Sequence, residues 1–187
     1  MNSRFRDCLE SSPVVDRGGY QYFINPLTDG VPSMSPEILE EVVEWMLSAG
    51  DFDCDILVTP ESMGIPLAVP LALRLGIPYT VVRKRSYGLP GEVVFEQRTG
   101  YSRNTMSING VKKGDRVVIV DDVISTGGTL DALVSALTDN IGARVVDVLV
   151  PVSKGPGTEN VLERRGIPVK TMVDIDIVDG KVVCHTD

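Results

Sequence analysis

Val117-Val118-Ile119-Val120-Asp121-Asp122-Val123-Ile124-Ser125-Thr126-Gly127-Gly128-Thr129-Leu130 is the stretch that decides how this chain is read. Four β-branched apolar residues run into two adjacent acids, and a turn rich in hydroxyls and glycine follows. Such a pattern predicts a buried strand that delivers Asp121 and Asp122 to the carboxyl edge of a sheet, where α/β folds take their ligands. Ser125, Thr126, Gly127, Gly128 and Thr129 then open a helix whose first N–H groups are free, a setting suited to a phosphate. Acids beside a phosphate cradle fit a sugar phosphate. The carboxylates accept from vicinal ribose hydroxyls while the turn holds the 5′-phosphate.

Outward from this stretch, strands and helices alternate. Cys54–Thr59 reads as a buried strand, a helix follows from Gly64 to Leu75, and Ile77–Arg83 reads as the next strand. Arg116–Val120 and Arg144–Val150 are further strands, separated by a helix from Gly128 to Asp139. Upstream, Ser35-Pro36-Glu37 is a helix start, and that helix stops at Gly50. Thr158–Arg165 reads as a short helix before the β-rich residues 167–183. The alternation implies an α/β fold with a mainly parallel central sheet flanked by helices. Residues 1–34 read as irregular apart from a short strand at Tyr20–Ile24, and residues 153–158 as mobile loop. Between Ser86 and Asn109, glycines and Pro90 interrupt two alternating runs, which predicts a long projecting hairpin.

Length and charge narrow the function classes. At 187 residues the chain is long enough for one domain with a real core. A net charge of −8 argues against sequence-independent nucleic-acid binding and against a polybasic membrane contact. No apolar run approaches the ~20 residues that span a bilayer, and no signal-peptide core follows Met1, so a cytoplasmic location is expected. Cys8, Cys54 and Cys184 show neither metal-ligand nor disulfide spacing, and the single His185 sits at the end of the chain.

The Asp121–Thr129 motif resembles the phosphoribosyl pyrophosphate (PRPP) signature of type I phosphoribosyltransferases, and the likeness extends over roughly residues 14–183. It implies that family's fold: one domain over 1–187, with a flexible hairpin lid at about 86–109 and a small hood from about 1–34 and 153–183. It implies that Asp121 and Asp122 are the catalytic ribose anchors and bind metal through the ligand or water. Glu61, Ser62, Met63 and Gly64, at another strand-to-helix turn, are expected to present N–H groups to pyrophosphate. Arg83, Lys84 and Arg85 are expected to stabilise its departure. The lid, with Gly88, Gly91 and Gly100 as hinges and Arg98 and Arg103 reaching for phosphate, excludes water on closing. Mg²⁺, a hard cation, is the expected cofactor, and a homodimer the usual assembly.

Within the family, the likeness runs to the purine branch. Arg83-Lys84-Arg85-Ser86-Tyr87-Gly88-Leu89-Pro90-Gly91-Glu92 is similar to an adenine-type segment. Glu61-Ser62-Met63-Gly64-Ile65-Pro66 and Val178-Asp179-Gly180-Lys181-Val182 are similar to archaeal hypoxanthine/guanine enzymes. Ser125 stands where bacterial and eukaryotic hypoxanthine/guanine enzymes carry an Asp near the purine N7, so this turn supplies no base. Lys154 follows the last central strand, where xanthine-type enzymes set a lysine against the 6-oxo group. An ammonium only donates, so Lys154 suits the O6 of hypoxanthine or guanine and opposes the amino group of adenine. The resemblance thus implies purine salvage, with PRPP and a 6-oxopurine giving IMP or GMP and pyrophosphate. Adenine or xanthine transfer and a PRPP-sensing regulator remain the rival readings.

Overall fold

The structure, a computed structural model, describes residues 3–16, 18–19, 21–31, 33–98 and 103–185. The chain starts with helix α1 (Arg4–Glu10) and a two-stranded antiparallel hairpin, β1 (Val14–Asp16) and β2 (Gln21–Phe23). Helix α2 (Pro36–Ala49) is followed by β3 (Ile56–Pro60), α3 (Ile65–Leu75) and β4 (Tyr79–Val82). A second hairpin, β5 (Val93–Arg98) and β6 (Arg103–Ile108), leads to β7 (Arg116–Val120) and the short β8 (Val123–Ile124). Helix α4 (Gly128–Ser135), β9 (Arg144–Leu149), β10 (Val152–Ser153), α5 (Gly157–Arg165), β11 (Val173–Val178) and β12 (Lys181–His185) complete the chain.

Four parallel strands make the central sheet, in the order β4-β3-β7-β9. Alternation along each strand feeds two apolar clusters, one on each face. Leu57, Val118 and Val120 join α2 and α3 on one side, while Val58, Val117 and Ile119 join Leu130, Leu133 and Val134 of α4 on the other. Leu57, Leu67, Leu71 and Leu137 are fully buried, each contributing about 2 kcal/mol of transfer free energy.

A second sheet, β12-β11-β10-β8, departs from the expected hood. It begins inside the signature stretch itself, at Val123–Ile124, and not after residue 153. Two chain segments pass from the central sheet to the second one side by side: β7 into β8, and β9 into β10. Asp121 and Asp122 occupy the seam, held by Asp121 N–H to Leu149 O (3.2 Å) and Val152 N–H to Asp122 O (3.2 Å).

Several expectations are corrected in detail. Helix α1 lies in the stretch read as irregular. It offers only Phe5 and Leu9 to a core, too weak a pattern to read, and depends on tertiary partners. Ser3 Oγ donates to Glu41, and the Arg6 guanidinium donates to Cys184 O of β12 (2.6 Å). Helix α4 does not simply stop near Asp139. It widens into a π-helical stretch, Ala136–Ile141, which keeps Ala136 and Leu137 buried. Residues 153–158 are tied down as well: Ser153 is a buried strand residue and Gly157 starts α5. The β5–β6 hairpin is no free arm, since Phe95 and Met106 pack into the α4 cluster. Tyr20, Gly100 and the side chains of Arg98 and Arg103 lie outside the described residues. Among the described residues, no helix is long and apolar enough to cross a membrane.

Candidate functional site

The seam acids differ in their surroundings. Asp121 is half-buried and its Oδ1 accepts the N–H of Asp122 (2.9 Å). Asp122 is only 9 % exposed, and its Oδ2 accepts from Thr28 Oγ1 (2.7 Å) and Asn25 Nδ2 (3.1 Å). Burial, then the Asp122 charge, pushes Asp121 well above the ordinary carboxylate range. Burial raises Asp122 too, but the Thr28 and Asn25 donors oppose it. Asn25 and Thr28 had no marker in the sequence, because donors to a carboxylate more than 90 residues away leave no local spacing.

The glycine turn after β8 encloses a cavity of about 140 Å³, lined by Asp121, Val123–Leu130 and Val150. All five expected cradle residues, Ser125, Thr126, Gly127, Gly128 and Thr129, border it. Gly127 caps α4 with φ +77° and has no side chain to cap the first N–H groups, of which that of Gly128 makes a long bond to Thr126 Oγ1 (3.5 Å). The turn is pressed against α5. A Cβ on Gly127 would lie 2.8 Å from Gly157 O, and one on Gly157 would lie 2.7 Å from Ser125 O. Asn160 Nδ2 donates to Thr126 O (3.1 Å), which turns the N–H of the same planar peptide, that of Gly127, away from α5.

A second cavity, of about 350 Å³, shares Asp121 and Thr129 with the first. Its other walls are Pro60, Glu61, Ser62, Met63, Lys84, Asn104, Met106 and Asp122. The Glu61–Ser62 peptide is cis. Gly64 lies behind this wall and lets the turn approach the acids: a Cβ there would sit 2.1 Å from Thr59 Oγ1 and 2.9 Å from Val120 O. Asn104 and Met106, from the hairpin, were not singled out in the sequence.

The basic cluster divides. Of its members only Lys84 borders this cavity. Arg83 donates to Glu61 Oε2 (2.9 Å), and the Lys84 N–H donates to Glu61 Oε1 (2.6 Å). The Lys84 N–H, then the Arg83 guanidinium, holds Glu61 below its usual range. Arg85 lies over the Tyr87 ring at 5.1 Å and donates to its hydroxyl. The expectation that all three cations face one anion is therefore corrected: Arg83 fixes the turn through Glu61, and Arg85 is drawn off by Tyr87.

Lys154 follows β10, next to the signature turn, with its N–H bonded to Ile124 O (2.8 Å). Its ammonium donates to Gln21 O of β2 (2.7 Å) and so ties the N-terminal hairpin to this edge. The base of the β5–β6 hairpin is anchored at Glu92, which accepts from Ser86, from the N–H groups of Tyr87 and Gly88, and from Asn109. These donors, Ser86 first, bring the Glu92 carboxyl down to about 2. His185 is exposed and lies 2.9 Å from Asp176, away from both cavities.

Comparison with known proteins agrees with this architecture. A family model described as "Phosphoribosyl transferase domain" matches residues 36–177. The hypoxanthine/guanine phosphoribosyltransferase of Methanothermococcus okinawensis is 50% identical over 177 residues, 95% of this chain and 96% of that protein. The protein of the same name from Methanosarcina acetivorans is 51% identical over 182 residues, 97% of this chain and 95% of that one. The solved adenine phosphoribosyltransferase of Thermoanaerobacter pseudethanolicus superposes with a TM-score of 0.76 at 21% identity, over 92% of this chain and 99% of that one, and so shares the fold.

Gly157→Ala should weaken ribose 5-phosphate binding by about tenfold, roughly 1.4 kcal/mol, because its methyl displaces the cradle. Calorimetry on the folded variant reads this directly, and unchanged affinity would show that the turn tolerates the shift. Glu92 should titrate near 2 by carboxyl NMR. A depressed pKa means that its anchoring is intact above the unfolded value of 4.5 and is lost as pH falls through about 2. A midpoint near 4.5 would contradict the anchor.

Proposed function

The chain belongs to the phosphoribosyltransferase family, and from that premise we infer that it is a purine salvage enzyme, a hypoxanthine/guanine phosphoribosyltransferase. It transfers the 5-phosphoribosyl group of PRPP to N9 of hypoxanthine or guanine, giving IMP or GMP and pyrophosphate. The observation that carries this reading is the acid pair standing between two cavities that share Asp121 and Thr129. A single ligand with phosphate at one end, ribose in the middle and pyrophosphate at the other spans that arrangement. Near half identity to named hypoxanthine/guanine enzymes over almost the whole length supports the base class.

In this mechanism the C1′–oxygen bond to pyrophosphate breaks and the C1′–N9 bond forms. Ser125 to Thr129 hold the 5′-phosphate through backbone N–H groups and the start of α4. Asp121 and Asp122 accept from the ribose hydroxyls. Lys84 and the N–H groups of the Glu61–Gly64 turn take up charge as pyrophosphate departs. Arg83 acts on that turn through Glu61. Ser125 cannot abstract a proton, so the purine N7/N9 proton leaves to water or to another group. Lys154 reads the 6-oxo group from the same edge, and the β5–β6 hairpin excludes water from the ribosyl centre.

Members of this family are typically Mg²⁺-dependent, and the donor set fits. The charges of two adjacent carboxyls, Asp122 buried and Asp121 half-buried, oppose each other beside the cavity, and a cation relieves that opposition. Among the described residues no group of three or more His, Cys, Asp or Glu gathers into a cage. Asp121 and Asp122 would therefore hold the ion through water or the ligand, as Mg²⁺ prefers, and the bound ion would neutralise pyrophosphate. The chain works as a single domain, because both apolar clusters draw on the same strands. Tyr79, Tyr87 and Leu89, exposed around one concavity at the β4 edge, support a homodimer. PRPP is highly charged and does not leak across a bilayer, which supports a cytoplasmic location.

A base panel with PRPP and Mg²⁺ tests the reading. IMP and GMP should form, and AMP should not. AMP alone would replace the base assignment with adenine, XMP alone with xanthine, and no product from any base would favour a PRPP-sensing regulator. Lys154→Ala should raise KM for hypoxanthine by about tenfold, more than it raises KM for PRPP. Equal changes in both would remove Lys154 from the base site.

A further inference from the structure

The hood segment after β2 is built around one oxygen atom. Thr28 Oγ1 and Asn25 Nδ2 both donate to Asp122 Oδ2, and the groups involved are 7 %, 2 % and 9 % exposed. The segment is preset for this by its own bonds. Asn25 Oδ1 accepts from the Leu27 N–H (3.0 Å), and the Asn25 N–H donates to Asp29 Oδ2 (2.7 Å). Asp29 is in turn held by the Tyr22 hydroxyl (3.0 Å). Gln21 O, four residues before Asn25, is gripped by Lys154.

A carboxylate withdrawn from water needs donors for its lone pairs, and neutral donors supply them without cancelling its charge. Two donors on Oδ2 from the hood side restrict rotation of the carboxyl, whose other partners, the Val123 N–H and the Asp121 side chain, come from its own strand end. The neighbouring carboxyl of Asp121 comes from the same strand end and bonds to Asp122, so it competes with the hood for the orientation of that group. Glu61 and Lys84 are the other charged groups bordering this cavity.

We propose that Asn25 and Thr28 are positioning residues that hold Asp122 in the orientation required to accept from a ribose hydroxyl. The proposal rests on the reading of Asp122 as a ribose anchor. It assigns to the hood a role at the sugar.

The test uses Thr28→Val, which keeps the shape and removes the donor, and Thr28→Ser, which keeps the donor. For Thr28→Val the Kd for ribose 5-phosphate and the KM for PRPP should each rise about tenfold. The Kd for pyrophosphate and the KM for hypoxanthine should stay within about twofold, and Thr28→Ser should restore PRPP use to within about twofold of the parent. If the valine variant fails to fold, Thr28→Ala, with no methyl against the carboxylate, carries the same expectation. An unchanged KM for PRPP, a uniform loss across all ligands, or a serine variant as poor as the valine one would each overturn the proposal. Asp122→Asn, measured alongside, separates the two levels. If it binds ribose 5-phosphate as the parent does, the ribose reading of Asp122 falls and the proposal with it. If it loses that affinity while Thr28→Val does not, the positioning role alone falls.

Discussion

Bringing the carboxyls of Asp121 and Asp122 together out of bulk water costs free energy that local partners must offset. Every element around the site contributes to that offset or is shaped by it. The backbone N–H of Asp122 goes to Asp121 Oδ1, and Thr28 and Asn25 go to Asp122 Oδ2. The pair sits where two parallel segments leave one sheet and enter another, so its backbone is held by β9 and β10 while its side chains face a cavity. Burial raises the affinity of both carboxyls for protons, most at Asp121.

The second constraint is close approach of backbone. Gly64 brings one strand-to-helix turn against Val120 and Asp121, and Gly127 and Gly157 press the other turn onto α5. At Gly64 and Gly157 a methyl would fall within 2.5 Å of a neighbouring atom, so side chains are excluded by packing. At Gly127 the left-handed φ adds a conformational reason. These contacts bring the glycine-rich turn after β8 and the opposing turn to the same acids, which is why the two cavities meet at Asp121 and Thr129.

Charge near the site is arranged for order as much as for binding. Glu61 takes Arg83 and the Lys84 N–H, leaving the Lys84 side chain to border the cavity. Glu92 gathers Ser86, Tyr87, Gly88 and Asn109 at the base of the hairpin, and Phe95 and Met106 bury its inner face. The hairpin is thus a packed element with a firm root.

The α/β alternation, the strand carrying the acids, the glycine cradle and the hairpin were all legible from residue order. Each rests on local rules: β-branched runs, turn residues and the spacing of apolar positions within one element. The direction of Arg83 and Arg85 was not legible, because a cation's partner depends on which carboxylate or ring the fold brings near. Nor was α1, whose two apolar residues gain meaning only against β12 and α2. By itself, the sequence determined the family and the fold class and set two acids beside a glycine-rich turn, since these follow from contiguous motifs. Tertiary structure alone decided that the acids lie on a seam between two sheets, that Asn25 and Thr28 hold one of them, and that Lys84 faces the cavity. Those are contacts between residues far apart in the chain, which only packing brings within hydrogen-bond range.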